Sequence, residues 1–305
     1  MNDLSECRLC PRECGVDRNA GEVGFCKAGV QPEIYRYGPH HGEEPVLSGI
    51  SGSGTVFFSR CTLACIYCQN YPISQLGEGE TCSIDEFTGI LEMLFKKGCH
   101  NWNFVSPTPW MPMIMEALDV LKGKGLELPV VYNTSGYEKK EIVKEISHKV
   151  DVWLVDLRYS EEKTALEASG VSDYVKNTRS AFEEMWRQSG PLSLDENGLA
   201  VGGLICRILI LPGHADEAVA NLEWISKTVG TDVALSVMAQ YTPTYRAIDR
   251  VPWERRLTRD EYDLVIDAVE RLGFDQGWLQ EFGGGYSKEL AGFRMKPGYG
   301  RVADN

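Results

Sequence analysis

Six short apolar runs, each followed by a longer amphipathic stretch, constrain this chain more than any other feature. TVFF (55–58), WNFV (102–105), PVVYN (129–133), VDVWLVDL (150–157), LICRILIL (204–211) and DVALSVMA (232–239) are almost continuously apolar. Runs of this kind read as strands buried on both faces, as in a parallel sheet covered by helices. Helical periodicity fills the intervals, over 84–97, 111–124, 138–149, 173–188, 215–229 and 258–272. In the first of these, Ile84, Phe87, Ile90, Leu91, Leu94 and Phe95 share one face. Asp85 and Glu86 stand in its first turn, where the helix dipole favours negative charge. Strand and helix in strict succession predict an α/β architecture, either a partial (β/α) barrel or a doubly wound sheet. Periodicity does not choose between them.

Composition narrows the partners. With 305 residues and a net charge of −13, the chain lacks the basic footprint of a nucleic-acid binder, and no useful Lys/Arg block occurs. No apolar stretch reaches the roughly 18 residues that a membrane-spanning helix needs. The start, MNDLSECRLC, has neither the charged nor the apolar region of a signal peptide. A cytoplasmic location is therefore expected, and in a reducing compartment clustered cysteines point to metal rather than disulfides.

There are ten cysteines. Cys61, Cys65 and Cys68 follow the first apolar strand at C-x3-C-x2-C spacing. Three thiolates so close can wrap one face of a cubane iron–sulfur cluster and leave one iron without a protein ligand, an open position for chemistry. The alternative is a zinc knuckle lacking its fourth ligand, with Cys82 across a polar loop as the nearest following candidate. Cys7, Cys10, Cys14 and Cys26 form a second set, C-x2-C-x3-C-x11-C, with Pro11 and Gly15, Gly21 and Gly24 shaping the loop. Residues 1–45 are too few to bury a core alone, so they read as a metal-stapled module and linker ahead of a main domain over 46–305. Zinc or a second iron–sulfur cluster would serve. Cys99 and Cys206 read as buried small hydrophobes. His40 and His41 are either a surface pair or face the site.

CTLACIYC, with Tyr67 before the last cysteine, resembles the signature of the radical S-adenosylmethionine (SAM) superfamily. HHGEEPVLSGISGSGTVFFSRC, CQNYPISQLGEGE, VVYNTSGYE, VWLVDLRYS, EEMWRQSG, RILILPG and MAQYTPTYRA extend the likeness over nearly the whole chain. They resemble a side branch named after the pyruvate formate-lyase activating enzyme, whose members carry an N-terminal CxxCPRxC motif. The resemblance implies a partial (β/α)6 barrel with a [4Fe–4S] cluster at the C-terminal ends of its strands. It also implies SAM chelated by the open iron, and a 5′-deoxyadenosyl radical that abstracts hydrogen from a substrate, with a flavodoxin- or ferredoxin-like protein as electron donor. The hydrogen could come from a glycine of a partner glycyl radical enzyme. A small metabolite or another peptide is the alternative, and a non-catalytic electron-transfer or zinc protein lies outside the class.

Position by position, the resemblance implies that Tyr67 lies near the adenine and that Ser106 and Thr108 stand where relatives have a Gly-Gly-Glu motif. Asn133, Thr134 and Ser135 would lie near the ribose and methionine, and Asp156 and Arg158 would match an Asp-x-Lys pair. Arg207 would reach the SAM carboxylate or ribose, and Gln240 would face the same mouth. Arg207 is thus expected to serve binding, with Arg207→Ala leaving the melting temperature nearly unchanged. Pro109, Trp110 and Ile208 depart from the relatives and predict an apolar mouth suited to a protein or peptide substrate.

Overall fold

The computed structural model of the chain describes residues 4–283. Its strands are β1 (Glu33–His40), β2 (Ser53–Phe58), β3 (Glu80–Thr81), β4 (Trp102–Val105), β5 (Val130–Thr134), β6 (Val152–Asp156), β7 (Ser193–Leu194), β8 (Ala200–Leu209), β9 (Ala234–Met238) and β10 (Gly277–Leu279). Its helices are α1 (Pro45–Ser48), α2 (Tyr71–Ser74), α3 (Ile84–Lys96), α4 (Met111–Gly123), α5 (Lys140–Ile146), α6 (Glu162–Ser169), α7 (Tyr174–Ser189), α8 (Ala215–Thr228) and α9 (Arg259–Leu272). One sheet runs β10-β9-β8-β6-β5-β4-β2-β1-β3, with β7 paired to β8. The stretch from β2 to β10 is parallel, and β1 is antiparallel to β2 and β3. This is the open, barrel-like parallel sheet expected, and no described helix is long and apolar enough to cross a membrane.

All six apolar runs are strands, and local chemistry explains the helix starts. Ser83 accepts from the Glu86 amide while the Glu86 carboxylate takes the Ser83 amide, and Thr258 and Glu261 do the same at α9. Each pair satisfies two otherwise orphaned donors. Two readings need correction. Residues 33–40, expected within a linker, form β1. The stretch 138–149 is a shorter helix, α5, closed by a 3-10 turn over Ser147–Lys149. The last part of the expected main domain, residues 284–305, lies outside the described residues.

Alternation of side chains gives the parallel sheet two different faces. Trp102, Phe104, Tyr132, Trp153, Cys206 and Ile208 point to the helices and form the main core. On the inner face Val131, Leu154, Ile205 and Ala234 close around Leu47 of α1 and plug the bottom of the barrel. Above this plug the inner face turns polar, and there the site begins.

Candidate active site

The loop after β2 carries Cys61, Cys65 and Cys68, and all three line one cavity of about 430 Å³. Arg60 enters the loop at φ +75° and is held by Glu33 at 2.7 Å. Every sulfur has a polar neighbour. Arg158 Nη1 donates to Cys65 Sγ at 3.0 Å, and the Ser169 hydroxyl lies 2.9 Å from the same atom. The Leu63 amide donates to Cys61 Sγ at 3.4 Å, and the Ser74 hydroxyl lies 3.3 Å from Cys68 Sγ. Burial pushes the Cys61 thiol up to about 12 and the Cys68 thiol up to about 11. At neutral pH these thiols ionise only when a bound cation takes up their charge. Three soft donors on one wall, with room beside them, fit an iron–sulfur cluster. Among the described residues, no set of three or more His, Cys, Asp or Glu is drawn together tightly enough for a single metal ion.

Behind this loop stands a wall of aromatic rings. Tyr67 stacks on Trp253 with centroids 5.5 Å apart, and its hydroxyl lies 2.6 Å from that of Tyr159. Tyr241 packs at 5.7 Å. Tyr67 is thus buried in the support of the loop and is not among the residues that line the cavity.

The C-terminal ends of the strands supply the remaining walls. Ser106, Asn133, Thr134, Ser135, Asp156 and Arg158 all line the cavity, as do Arg207 and Gln240. Ser106 holds φ +57°, an uncommon conformation for a residue with a side chain. Asp156 and Arg158 pair with each other at 2.6 Å. Thr108 is the second displaced residue: it is buried, and its hydroxyl donates to Glu138 at 2.6 Å. The Thr134 hydroxyl donates to the same carboxylate oxygen at 2.6 Å. Burial raises the Glu138 carboxyl to about 7 against the lowering effect of these two bonds.

Arg207 differs most from expectation. Glu44 takes its Nε at 2.8 Å and its Nη2 at 2.7 Å, Glu43 also binds Nη2, and Nη1 reaches Asn133 Oδ1 at 3.4 Å. Although desolvation disfavours the charge, Glu44 and Glu43 hold the guanidinium well above its usual range. Burial alone would raise the Glu44 carboxyl, and Arg207 outweighs it and lowers it. The two glutamates were legible only as part of a resemblance; of the histidine pair, His40 lines the cavity and His41 is exposed. The usable signal was an arginine interrupting an apolar strand, since a buried charge needs a partner.

Pro109, Trp110 and Ile208, expected to make an apolar mouth, do not line the cavity. Ile208 follows inward-facing Arg207 and so points to the helices, fully buried. Trp110 is buried too, donating to the Ser59 carbonyl at 2.8 Å. Pro109 turns its carbonyl to Arg18 at 2.9 Å. Charged side chains share the cavity wall with Phe57, Leu63, Ile73, Met238, Trp278 and Leu279.

Cys7, Cys10, Cys14 and Cys26 line a second, small cavity together with Arg12 and Arg18. Burial raises the thiols of Cys10 and Cys26. Arg12 stacks 3.5 Å over Phe25 and donates Nε to the carbonyl of Thr62 at 3.1 Å, next to Cys61. Lys139 pairs with Glu13. The module is therefore docked beside the loop of the main site. Cys82 and Cys99 are buried in the core.

Residues 55–223 match the family model described as the radical SAM superfamily. An uncharacterized protein of Methanocaldococcus jannaschii is 29% identical over 284 residues, covering 90% of this chain and 77% of that protein. Among solved structures, Streptococcus suis SuiB bound to precursor peptide SuiA superposes with a TM-score of 0.51 at 13% identity, over 76% of this chain and 47% of SuiB. Methylornithine synthase (PylB) gives a TM-score of 0.49 at 14% identity, over 72% of this chain and 61% of that one. The chain thus spans about half the length of SuiB.

Proposed function

The chain belongs to the radical SAM superfamily, and from that premise we propose that Cys61, Cys65 and Cys68 hold its [4Fe–4S] cluster and that the adjoining cavity binds SAM. Bound there, cluster and SAM would supply a 5′-deoxyadenosyl radical for hydrogen abstraction. The observation that carries the assignment is that three thiols, each with a polar neighbour, open onto one cavity at the C-terminal ends of parallel strands. Ligands of α/β sheets and barrels bind at that end.

The chain's own groups have separable tasks in this reading. Arg158 donates to Cys65 and would offset negative charge on the thiolates, while Asp156 holds Arg158 in place. Asn133, Thr134 and Ser135 offer donors and acceptors along the edge of β5, and Ser106 and Gln240 face them from neighbouring walls. Tyr67, Tyr159 and Trp253 exclude water from the back of the loop. Electrons would come from a flavodoxin- or ferredoxin-like donor. We place the chain in the side branch resembling pyruvate formate-lyase activating enzyme, acting on a protein or peptide, with a glycine of a glycyl radical enzyme as one target and a small metabolite as the rival. We further propose that Cys7, Cys10, Cys14 and Cys26 bind a second metal centre.

Anaerobic protein should contain iron and sulfide and, once reduced, convert SAM to 5′-deoxyadenosine. Replacing Cys61, Cys65 and Cys68 together by Ala should abolish both the cluster absorbance and this product. A triple variant that still forms 5′-deoxyadenosine would overturn the assignment. Adding a candidate glycyl radical enzyme should produce a doublet paramagnetic resonance signal in the partner; turnover of a small molecule with no partner present would favour the rival.

A further inference from the structure

An electron destined for the three thiols has to arrive from behind them, because the cavity in front is where SAM and substrate would sit. The loop after β9 stands on that far side and touches the cysteine loop repeatedly. Its Arg246 amide donates to the carbonyl of Ile66 at 2.9 Å, and Ile66 directly follows Cys65. Tyr245 stacks on Tyr71 with centroids 4.4 Å apart, and the Tyr71 amide donates to the Cys68 carbonyl at 3.2 Å. Trp253 of the same loop leads to a sulfur atom. It stacks on Tyr67, whose hydroxyl lies 2.6 Å from that of Tyr159. The Ser169 hydroxyl lies 2.6 Å from the Tyr159 hydroxyl and 2.9 Å from Cys65 Sγ. Electron tunnelling decays steeply across gaps and is carried far better by bonded, hydrogen-bonded and stacked atoms. Every link from this loop to Cys65 is of that kind.

What the loop presents to solvent differs from the rest of the chain. Residues 245–259 hold five arginines against two carboxylates, Asp249 and Glu254, whereas the whole chain has 31 Lys and Arg against 44 Asp and Glu. Glu261 takes Arg255 at 2.6 Å, and Asp263 takes Arg259 at 2.9 Å. Arg246, Arg250 and Arg256 are exposed, and among the described residues none of them forms an ion pair. Two carboxylates beneath the loop are already engaged: Glu167 accepts from the Trp253 indole at 3.0 Å, and Glu217 lies 3.2 Å from His214 Nδ1. Between the arginines stand Ile248 and Val251, 55% and 82% exposed. Large apolar side chains held out among polar ones mark an interaction site. Successive turns fix the loop: the amides of Ala247, Arg250 and Glu254 donate to the carbonyls of Thr244, Ala247 and Arg250. A surface ordered in advance loses little freedom on binding.

We propose that Arg246, Ile248, Arg250, Val251 and Arg256 form the docking surface for an acidic one-electron donor protein. This rests on the reading of Cys61, Cys65 and Cys68 as the cluster site. A chain with net charge −13 repels such a donor over most of its surface, so a local excess of arginine both admits the donor and fixes where it lands. Interfaces between electron-transfer partners are small, and one loop can supply the contact. In the encounter the donor loses one electron and the cluster on the three thiols gains it; no bond forms or breaks.

The test measures binding of an oxidised flavodoxin, an acidic flavoprotein, to the cluster-loaded protein by calorimetry, with no electron transferred. Raising the salt from about 20 mM to about 300 mM should weaken binding about tenfold. The Arg250→Glu/Arg256→Glu double variant should bind at least about tenfold more weakly at low salt. Ile248→Ser should bind severalfold more weakly at both salt concentrations. Dithionite, a small reductant that needs no docking surface, should reduce the cluster of each variant as it does that of the wild type, while reduced flavodoxin should do so more slowly. Wild-type affinity in both variants would overturn the surface alone and move electron entry elsewhere; so would a wild-type protein that carries its cluster and does not bind the flavodoxin. A dimer that Ile248→Ser dissociates would overturn it too, by assigning the patch to a second copy of the chain. Protein that assembles no cluster on the three thiols would strike the underlying reading instead.

Discussion

At the scale of single residues, two buried charges carry the sharpest expectations. Arg207 was expected to bind a ligand without supporting the fold; its bonds to Glu43 and Glu44 make it structural as well. Arg207→Ala would strand two carboxylates in a low-dielectric site and should cost about 3–5 kcal/mol, seen as a lower midpoint in chemical denaturation. Arg207→Lys, which keeps the charge and loses the fork, should cost less. Glu138 makes the opposite kind of statement. Its folded-state carboxyl is raised to about 7 from 4.5. The native state therefore keeps a proton that the unfolded chain releases, and stability falls as pH rises from about 4.5 to 7. Glu138→Gln retains an acceptor for Thr108 and Thr134 without the charge. It should be more stable than the parent at pH 8, by something approaching 3 kcal/mol, and gain nothing at pH 4. A gain equal at both pH values would exclude the ionisation as its cause.

At the scale of elements, Arg12 ties the N-terminal module to the cluster loop by donating to the carbonyl of Thr62. Arg12→Ala should speed hydrogen exchange at Leu63, whose amide bonds Cys61 Sγ, by about fivefold, the equivalent of one hydrogen bond of about 1 kcal/mol. Metal analysis of the Cys61, Cys65 and Cys68 triple variant isolates the module itself. About four residual irons would indicate a second cluster and one residual zinc a zinc site, whereas a metal-free variant would refute both. The same scale shows what the sequence can reveal. The central strands were legible because burial on both faces demands continuous apolar side chains. Strand β1, EIYRYGPH, mixes Arg, Gly, Pro and His, and its buried Arg36 lies 4.3 Å over Phe57 of the neighbouring strand. The three-residue β10, GWL, is too short to show a period. Site residues on strand ends were legible from their position. Glu43 and Glu44 were not, because their meaning depends on Arg207, 163 residues beyond Glu44. Tyr67 and Thr108 lie off the cavity wall for the same reason: each is held by a distant partner, Tyr159 for one and Glu138 for the other.

At the scale of the whole molecule, the sheet order has a bearing on how the protein is made. Apart from the two-residue strands β3 and β7, each strand pairs with the one the chain has just completed, from β1 to β10. A ribosome can therefore extend the sheet at one growing edge, and no long strand has to wait for a distant one. The base of the cavity follows a different schedule. Glu44 emerges 163 residues before Arg207, which at 5–20 residues per second is roughly 10–30 s of synthesis. Over that interval the two glutamates lack the guanidinium that holds them in the folded protein, so the base of the cavity is completed only when β8 arrives.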